Sequence, residues 1–136
     1  MEVTFRADFE AQFDQAGLML HAAPDLWLKT GVELSDGELY ASVVATAGMS
    51  DGSVSPLPEH ARGHALTFRV SRKGDGITVR YRVAEEPRWR LLRVAYFPPD
   101  VEVVAGPMTC SPTRAGLNVR FGPVLAGPPD AHLHEG

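Results

Sequence analysis

Apolar and polar residues alternate with a period of two along most of the chain. A β-strand sends successive side chains to opposite faces of its sheet, so this period predicts strands rather than helices. About nine such segments follow one another, separated by turn residues at spacings of roughly 8–12 residues. This arrangement is typical of an all-β sandwich built from antiparallel hairpins.

Two of these segments, residues 14–21 and 25–34, are joined by a short connector, which predicts a hairpin. In the second segment one face would carry apolar residues for burial, while the other would carry an indole, an ammonium and a carboxylate in steps of about 7 Å. We expect Lys29 and Glu33 to be neighbours on that second face. The buried set is Leu26, Leu28, Thr30, Val32 and Leu34, and the opposite set is Trp27, Lys29, Gly31 and Glu33.

The remaining pattern predicts the boundaries of the domain. Residues 2–9 alternate as a first strand, and Asp36-Gly37 has the chemistry of a tight turn with positive φ. Residues 47–63 are rich in glycine, proline and serine, which predicts a long loop. We expect one domain over residues 1–126, followed by a flexible Pro/Gly-rich C-terminal tail at 127–136.

Composition narrows the class of partner. The net charge of −4 makes nucleic acid an unexpected partner, because phosphate binding needs a basic surface. No apolar run reaches the roughly 18 residues of a membrane span, and the first residues lack the layout of a signal peptide. The single cysteine, Cys110, allows no internal disulfide. We therefore expect a cytoplasmic protein without a membrane partner.

Four segments of the chain resemble one protein family in the order expected for it. They are residues 14–18, 27–33, 93–99 and 106–112, and the similarity runs from Val3 to Pro128. The family is the concanavalin A-like family of unknown function that includes the regulation-of-enolase proteins. The resemblance implies a jelly-roll sandwich of two antiparallel sheets, one of them concave, as in legume lectins.

The chain departs from this family at two places. Asp51-Gly52-Ser53 stands where the family usually has Asp-Trp-Ser, so one aromatic side chain is missing. The family domain also usually begins some tens of residues earlier, which implies a sandwich shortened at its N-terminus. An exposed edge at the first strand would invite pairing with another chain. We therefore expect a homodimer or a protein partner at this edge, or a fragment of a longer chain.

The face that carries Trp27 is the candidate ligand site. One stacking aromatic over a hydrogen-bonding floor suits a sugar or a related polar metabolite. The alternative is a solvated face on which Lys29 and Glu33 form an ordinary ion pair, worth about 0–1 kcal/mol. The expected ligand-binding residues are Gln15, Trp27, Lys29 and Glu33, with contributions from Ser53 and Tyr96, and Met19 and His21 share the face of Gln15.

Two other functions remain open. One is a protein-interaction module that regulates a metabolic enzyme, as the family name suggests. The other is an enzyme acting on sugar derivatives, since glycoside hydrolysis usually needs two carboxyl groups roughly 5–9.5 Å apart. Ser35 and Gly37 follow Glu33 in alternation, so a second carboxylate would have to come from Asp14 or Asp51. No catalytic residue is predicted.

The sequence predicts no metal or cofactor. His132-Leu133-His134 lacks the further ligands of a zinc site, and Cys110 is expected to be an inert buried thiol. A run of arginines is expected to form a solvated outer face balanced by Glu85 and Glu86. The run comprises Arg80, Arg82, Arg88, Arg90 and Arg93.

Overall fold

The computed structural model describes residues 1–132 as a sandwich of two antiparallel five-stranded sheets. The all-β sandwich predicted from the alternation is confirmed. Apart from a 3-10 turn at Glu59–Ala61, the described residues form no helix. The strands are β1 (Glu2–Ala7), β2 (Gln15–Ala23), β3 (Leu26–Ser35), β4 (Glu38–Ala47), β5 (Met49–Pro56), β6 (Leu66–Lys73), β7 (Gly76–Val83), β8 (Arg90–Tyr96), β9 (Val104–Cys110) and β10 (Val119–Phe121).

The first strand lies inside its sheet. The first sheet has the order β10-β1-β6-β7-β8 and the second has β5-β4-β3-β2-β9. β1 pairs with β6 on one side and with β10 on the other, and its Val3 and Phe5 are 0% and 1% exposed. The expectation of an open edge at the first strand is therefore wrong. Dimerisation stays a prediction, which sedimentation equilibrium on the 136-residue chain tests.

Part of the predicted loop at residues 47–63 is a strand. Gly48 has a φ of 75°, and this left-handed turn lets β5 fold back and pair with β4 along its length. β5 is an edge strand with little apolar character, so alternation does not reveal it. The predicted tight turn is confirmed, with φ angles of 51° at Asp36 and 81° at Gly37.

The core lies between the two sheets, where their apolar faces meet. Leu28 and Val32 from β3 are almost fully buried there, as the alternation predicts, and Leu26 is partly buried against the same core. Phe68 stacks on Phe5 and Tyr81 with centroid separations of 5.9 and 5.6 Å. All three rings belong to the first sheet and lie on its inner face.

Residues 127–132 lie on the outer face of the first sheet. The Asp130 carboxylate accepts a hydrogen bond from Arg80 at 2.7 Å and another from Arg69. The Asp130 N–H donates to Ser71 Oγ at 2.8 Å. Arg80 is consequently 3% exposed, so its predicted place on a solvated face is wrong. Leu133 and His134 lie outside the described residues.

The other arginines of the predicted run differ in their surroundings. Arg90 forms an ion pair with Glu86, in line with the expected balance of charge. Arg93 pairs instead with Asp51 of the second sheet, at 2.9 Å.

No helix within residues 1–132 has the length and apolar character needed to cross a bilayer.

Candidate functional site

The outer surface of the second sheet gathers most of the predicted site. Trp27, Lys29, Gly31 and Glu33 of β3 face away from the core, because the neighbouring Leu28 and Val32 face into it. The pairing register places residues of β2 and β4 beside them. We call this surface the β2–β4 face. It consists of Gln15, Gly17, Met19, His21, Trp27, Lys29, Gly31, Glu33, Tyr40, Ser42, Val44 and Thr46.

A pair of glycines forms the centre of the β2–β4 face. Gly17 and Gly31 lie opposite each other in the register. A Cβ at Gly17 would lie 2.0 Å from the Thr30 carbonyl oxygen, and one at Gly31 would lie 2.0 Å from the Ala16 carbonyl oxygen. Only glycine allows the two backbones to approach this closely. The centre of the face is therefore bare backbone, which leaves room for a ligand.

Three polar side chains of the β2–β4 face are largely buried. Gln15, Ser42 and Thr46 are 8%, 6% and 7% exposed, although they lie on the outer side of the second sheet. Gln15 Nε2 donates to the Phe13 carbonyl at 3.2 Å, and the Thr46 and Ser50 hydroxyls are hydrogen-bonded at 2.7 Å. These side chains are therefore held low in the sheet, with their polar groups hydrogen-bonded at Gln15 and Thr46.

Trp27 lies at one end of the face. It pairs with His21 on β2 and with Thr46 on β4, and its ring is half-buried. The indole Nε1–H donates to the Pro24 carbonyl at 3.2 Å, in the connector between β2 and β3. This bond orients the ring on the outside of the sheet. The predicted position of Trp27 away from the inter-sheet core is confirmed.

Lys29 and Glu33 are not neighbours. Gly31 occupies the position between them on the same face, so they are four residues apart, or about 13 Å along the strand. The expected 7 Å spacing is wrong, because 7 Å separates residues that are two positions apart in a strand, whereas Lys29 and Glu33 are four positions apart. Within residues 1–132 neither side chain forms an ion pair. The ordinary ion-pair interpretation of this face is therefore also wrong.

Ser53 does not reach the β2–β4 face. It pairs with Val43, a fully buried core residue, so it lies on the side of β5 that faces the first sheet. There its hydroxyl oxygen accepts a hydrogen bond from Arg93 at 3.1 Å. Gly52 and Val54 are the β5 residues in register with the outer positions Val44 and Ser42.

Tyr96 lies on the opposite outer surface of the sandwich. Its neighbour Ala95 is 6% exposed and faces the core, whereas Tyr96 is 63% exposed on β8 of the first sheet. Four of the six predicted ligand residues therefore share one face, namely Gln15, Trp27, Lys29 and Glu33. Ser53 and Tyr96 lie elsewhere.

Asp14 is a buried structural carboxylate. It is 0% exposed and accepts hydrogen bonds from Arg114 Nη2 at 2.6 Å, Ser111 Oγ at 2.8 Å and the N–H groups of Ala11 and Glu10 at 3.0 and 3.1 Å. Burial alone would raise the pKa of Asp14, but these hydrogen bonds outweigh it and hold the pKa well below its usual range. Both oxygens of the ionised Asp14 carboxylate therefore accept hydrogen bonds from the protein. The group anchors a loop and is not available as an acid.

The sequence reasoning missed the β4 side of the face and a second carboxylate near it. Tyr40 lies beside Glu33, Ser42 beside Gly31, and Glu38 opposite Ser35 at the exposed end of the hairpin. The two-residue Asp36-Gly37 turn predicts these neighbours, because it fixes the register of β3 against β4. Asp51 lies on the other side of the sheet, paired with Arg93.

The described part of the chain offers no obvious metal centre. Among residues 1–132, no group of three or more histidine, cysteine, aspartate or glutamate side chains is placed to hold a metal ion. Cys110 is a free, half-buried thiol at the end of the row that contains Gln15 and Glu33.

Comparisons with known proteins give relatives of the same fold. Regulation of enolase protein 1 from Saccharomyces cerevisiae is 36% identical over 136 residues, which are 98% of this chain and 67% of that protein. The crystal structure of a functionally unknown protein from S. cerevisiae superposes with a TM-score of 0.79 at 32% identity. It covers 92% of this chain and 69% of that one.

A more distant likeness concerns the fold alone. The GH43 protein BlXynB from Bacillus licheniformis superposes with a TM-score of 0.72 at 13% identity, over 88% of this chain and 26% of that chain.

The family resemblance inferred from the four sequence segments is confirmed by a family profile. That profile, described as a protein of unknown function (DUF1349), matches residues 1–127. The match spans both sheets and every residue of the β2–β4 face. The chain therefore belongs to the DUF1349 family.

Proposed function

We propose that the β2–β4 face binds a carbohydrate or a related polar metabolite without altering it. The observation that carries this proposal is the bare Gly17–Gly31 centre flanked by functional side chains. Trp27 and Lys29 lie on one side of it, and Gln15 and Glu33 on the other. From Trp27 to Glu33 the face extends for about 20 Å along β3, long enough for more than one sugar ring.

The side chains provide the two kinds of contact that sugar recognition needs. An aromatic ring offers a flat apolar surface for the C–H groups of a sugar, and the half-buried Trp27 is held in position by Pro24. The Lys29 ammonium donates hydrogen bonds and the Glu33 carboxylate accepts them, which matches the dual character of hydroxyl groups. Bonds that involve a charged group are the stronger ones.

We propose binding rather than hydrolysis because the carboxylates available are poorly placed. Asp14 is buried and fully bonded, and Asp51 lies behind the sheet. Glu38 is exposed at the end of the hairpin, beyond the row formed by Gln15, Glu33 and Tyr40. Hydrolysis of the bound sugar that is abolished in both E33Q and E38Q would instead support an enzyme acting on sugar derivatives.

The test is a thermal-shift screen against sugars and sugar phosphates, followed by titration calorimetry of the best ligand. K29M and E33Q are each expected to weaken binding about tenfold, because each removes a charged hydrogen-bonding group. S53A and Y96F serve as controls, because both residues lie off the face, and they should bind like the wild type. Unchanged affinity in both K29M and E33Q would remove this face as the binding site.

A second candidate function is a protein-interaction module that regulates a metabolic enzyme. Val54 and Val104 are 57% and 76% exposed at the two edge strands of the second sheet, in register with Ser42 and His21 of the face. A protein that covered the face would bury one apolar side chain at each of its two edges. The name of the S. cerevisiae relative associates that protein with regulation of enolase.

Purified enolase is the first partner to test against this second function. Biolayer interferometry with V54D and V104D should show lost binding if the face docks a protein. V94D is the matched control, because Val94 is 53% exposed on β8 of the first sheet.

We place either function in the cytoplasm, which the free thiol of Cys110 supports.

A further inference from the structure

An open cavity of about 640 Å³ lies on the outer side of the first sheet, where β1 pairs with β10. It is separate from the β2–β4 face, which belongs to the other sheet. The cavity is lined by Arg6, Ala7, Asp8, Gly63, Asn118, Val119 and Arg120.

Two arginines lie directly opposite each other in this cavity. Arg6 pairs with Arg120 in the β1–β10 register, and both side chains are exposed. The preceding pair, Phe5 and Phe121, packs ring against ring in the core with centroids 5.7 Å apart. Alternation therefore places both guanidinium groups on the same outer side. Like charges directly opposite each other on neighbouring strands destabilise the pair.

Neither charge is neutralised by the described part of the chain. Arg6 Nη1 donates to the Gly63 carbonyl at 3.3 Å, and within residues 1–132 neither Arg6 nor Arg120 forms an ion pair. Asp8 lines the same cavity, and among the ion pairs of the described residues none joins it to either arginine. In contrast, Arg80 and Arg114 each have a carboxylate partner.

We propose that the Arg6–Arg120 pair binds a phosphate-type dianion. A guanidinium group is a planar fork of donors that matches the oxygens of phosphate, and two such groups can share one dianion. The Asn118 amide in the same cavity is a further donor. Binding would replace a repulsion between two cations by two attractions. The anion is either free phosphate or the phosphoryl group of a small metabolite.

Titration calorimetry at constant ionic strength tests the proposal with inorganic phosphate and with glycerol phosphate. Wild-type protein should bind phosphate, and R6Q or R120Q should each lose about tenfold in affinity. R88Q removes the same charge at an exposed loop position and should bind like the wild type. D8N should bind more tightly, because it removes the one negative charge from the cavity lining.

The same titrations distinguish free phosphate from a phosphorylated metabolite as the preferred ligand. Equal affinities indicate recognition of the phosphate group alone, and tighter binding of glycerol phosphate indicates a phosphorylated metabolite. No binding of either probe by the wild type would overturn the proposal. A loss in R88Q equal to that in R120Q would also overturn it, because it would show a general charge effect.

Thermal unfolding is an independent measurement of phosphate binding, and it also shows whether each variant is folded. Without phosphate, R120Q should unfold at the same temperature as the wild type or higher, because a repulsion is removed. In phosphate, the wild type should gain more stability than R6Q or R120Q, since a ligand stabilises the state that binds it in proportion to its affinity. A phosphate-dependent gain in R6Q/R120Q equal to that of the wild type would contradict the proposal. The result is independent of whether the β2–β4 face binds sugars.

Discussion

Gly17 and Gly31 lie directly opposite each other in the β2–β3 pair, and neither position has room for a side chain. Carbonyl oxygens of the facing strand occupy the space that either Cβ would take. The glycines serve two purposes at once. They let the two central strands approach closely, and they leave the middle of the β2–β4 face open between Lys29 and Glu33.

The first prediction concerns this glycine pair. G31A is expected to destabilise the fold by about 1–3 kcal/mol, because the added methyl group meets rigid backbone. G52A is the matched control, since a Cβ at Gly52 would meet only ordinary contacts at 3.5 Å or more on the same sheet. It should change stability by less than about 0.5 kcal/mol. Urea unfolding measures both, and an equal effect of the two substitutions would contradict the close approach.

The second prediction concerns the buried carboxylate of Asp14. D14N should destabilise the protein by about 3–5 kcal/mol, because it removes the charge that Arg114 contacts most closely and replaces one acceptor oxygen of the buried group by an N–H₂ donor. S111A removes one hydrogen bond to the ionised carboxylate and keeps the ion pair, so it should cost less, about 1.5–3 kcal/mol. Equal losses in D14N and S111A would show that the Arg114 contact contributes nothing.

The same carboxylate makes stability depend on pH. Its folded pKa lies well below the ordinary value of an aspartate, about 3.9, so the folded state favours the ionised form. Its contribution is fully present above that value and is lost as the pH falls below about 4. Urea unfolding between about pH 5 and pH 2 should show a steep decline in the wild type and a shallower one in D14N. Parallel curves would contradict the assignment.

The third prediction concerns the docked segment at residues 127–132. D130N weakens the contacts to Arg80 and Arg69, and should cost about 1–3 kcal/mol while speeding amide exchange of residues 130–132. D100N, at an exposed position, is the control and should leave both quantities unchanged. Wild-type exchange rates in D130N would show that other contacts hold this segment.

Much of the fold and half of the candidate face could be predicted from local pattern. The alternation of β3 correctly separated Trp27, Lys29 and Glu33 from Leu28 and Val32. The Asp36-Gly37 turn carried enough information to place Tyr40 beside Glu33, because a two-residue hairpin leaves one register.

The misplaced residues depended on long-range pairing, which local pattern does not contain. Alternation says which face of its own strand a residue takes, but not which sheet that strand joins, so it could not place Tyr96 on the first sheet. β10 is three residues long and pairs with β1 from more than 100 positions away. The pattern of either strand does not contain this pairing, and the shortened N-terminus implied by the family resemblance suggests an edge at β1 instead.

The central claim is that a polar ligand binds over the Gly17–Gly31 centre, and the two tryptophans test it most directly. Trp27 lies on the β2–β4 face, whereas Trp89 lies against Arg69 and Arg82 of the first sheet, so each serves as the other's control. Their indole N–H signals and the backbone amides can be followed together by ¹H–¹⁵N NMR during a sugar titration. The account predicts that the Trp27 indole shifts with the amides of Gly17, Gly31 and Glu33, while the Trp89 indole stays in place. Saturable shifts that move Trp89 and leave Trp27 unchanged would contradict it.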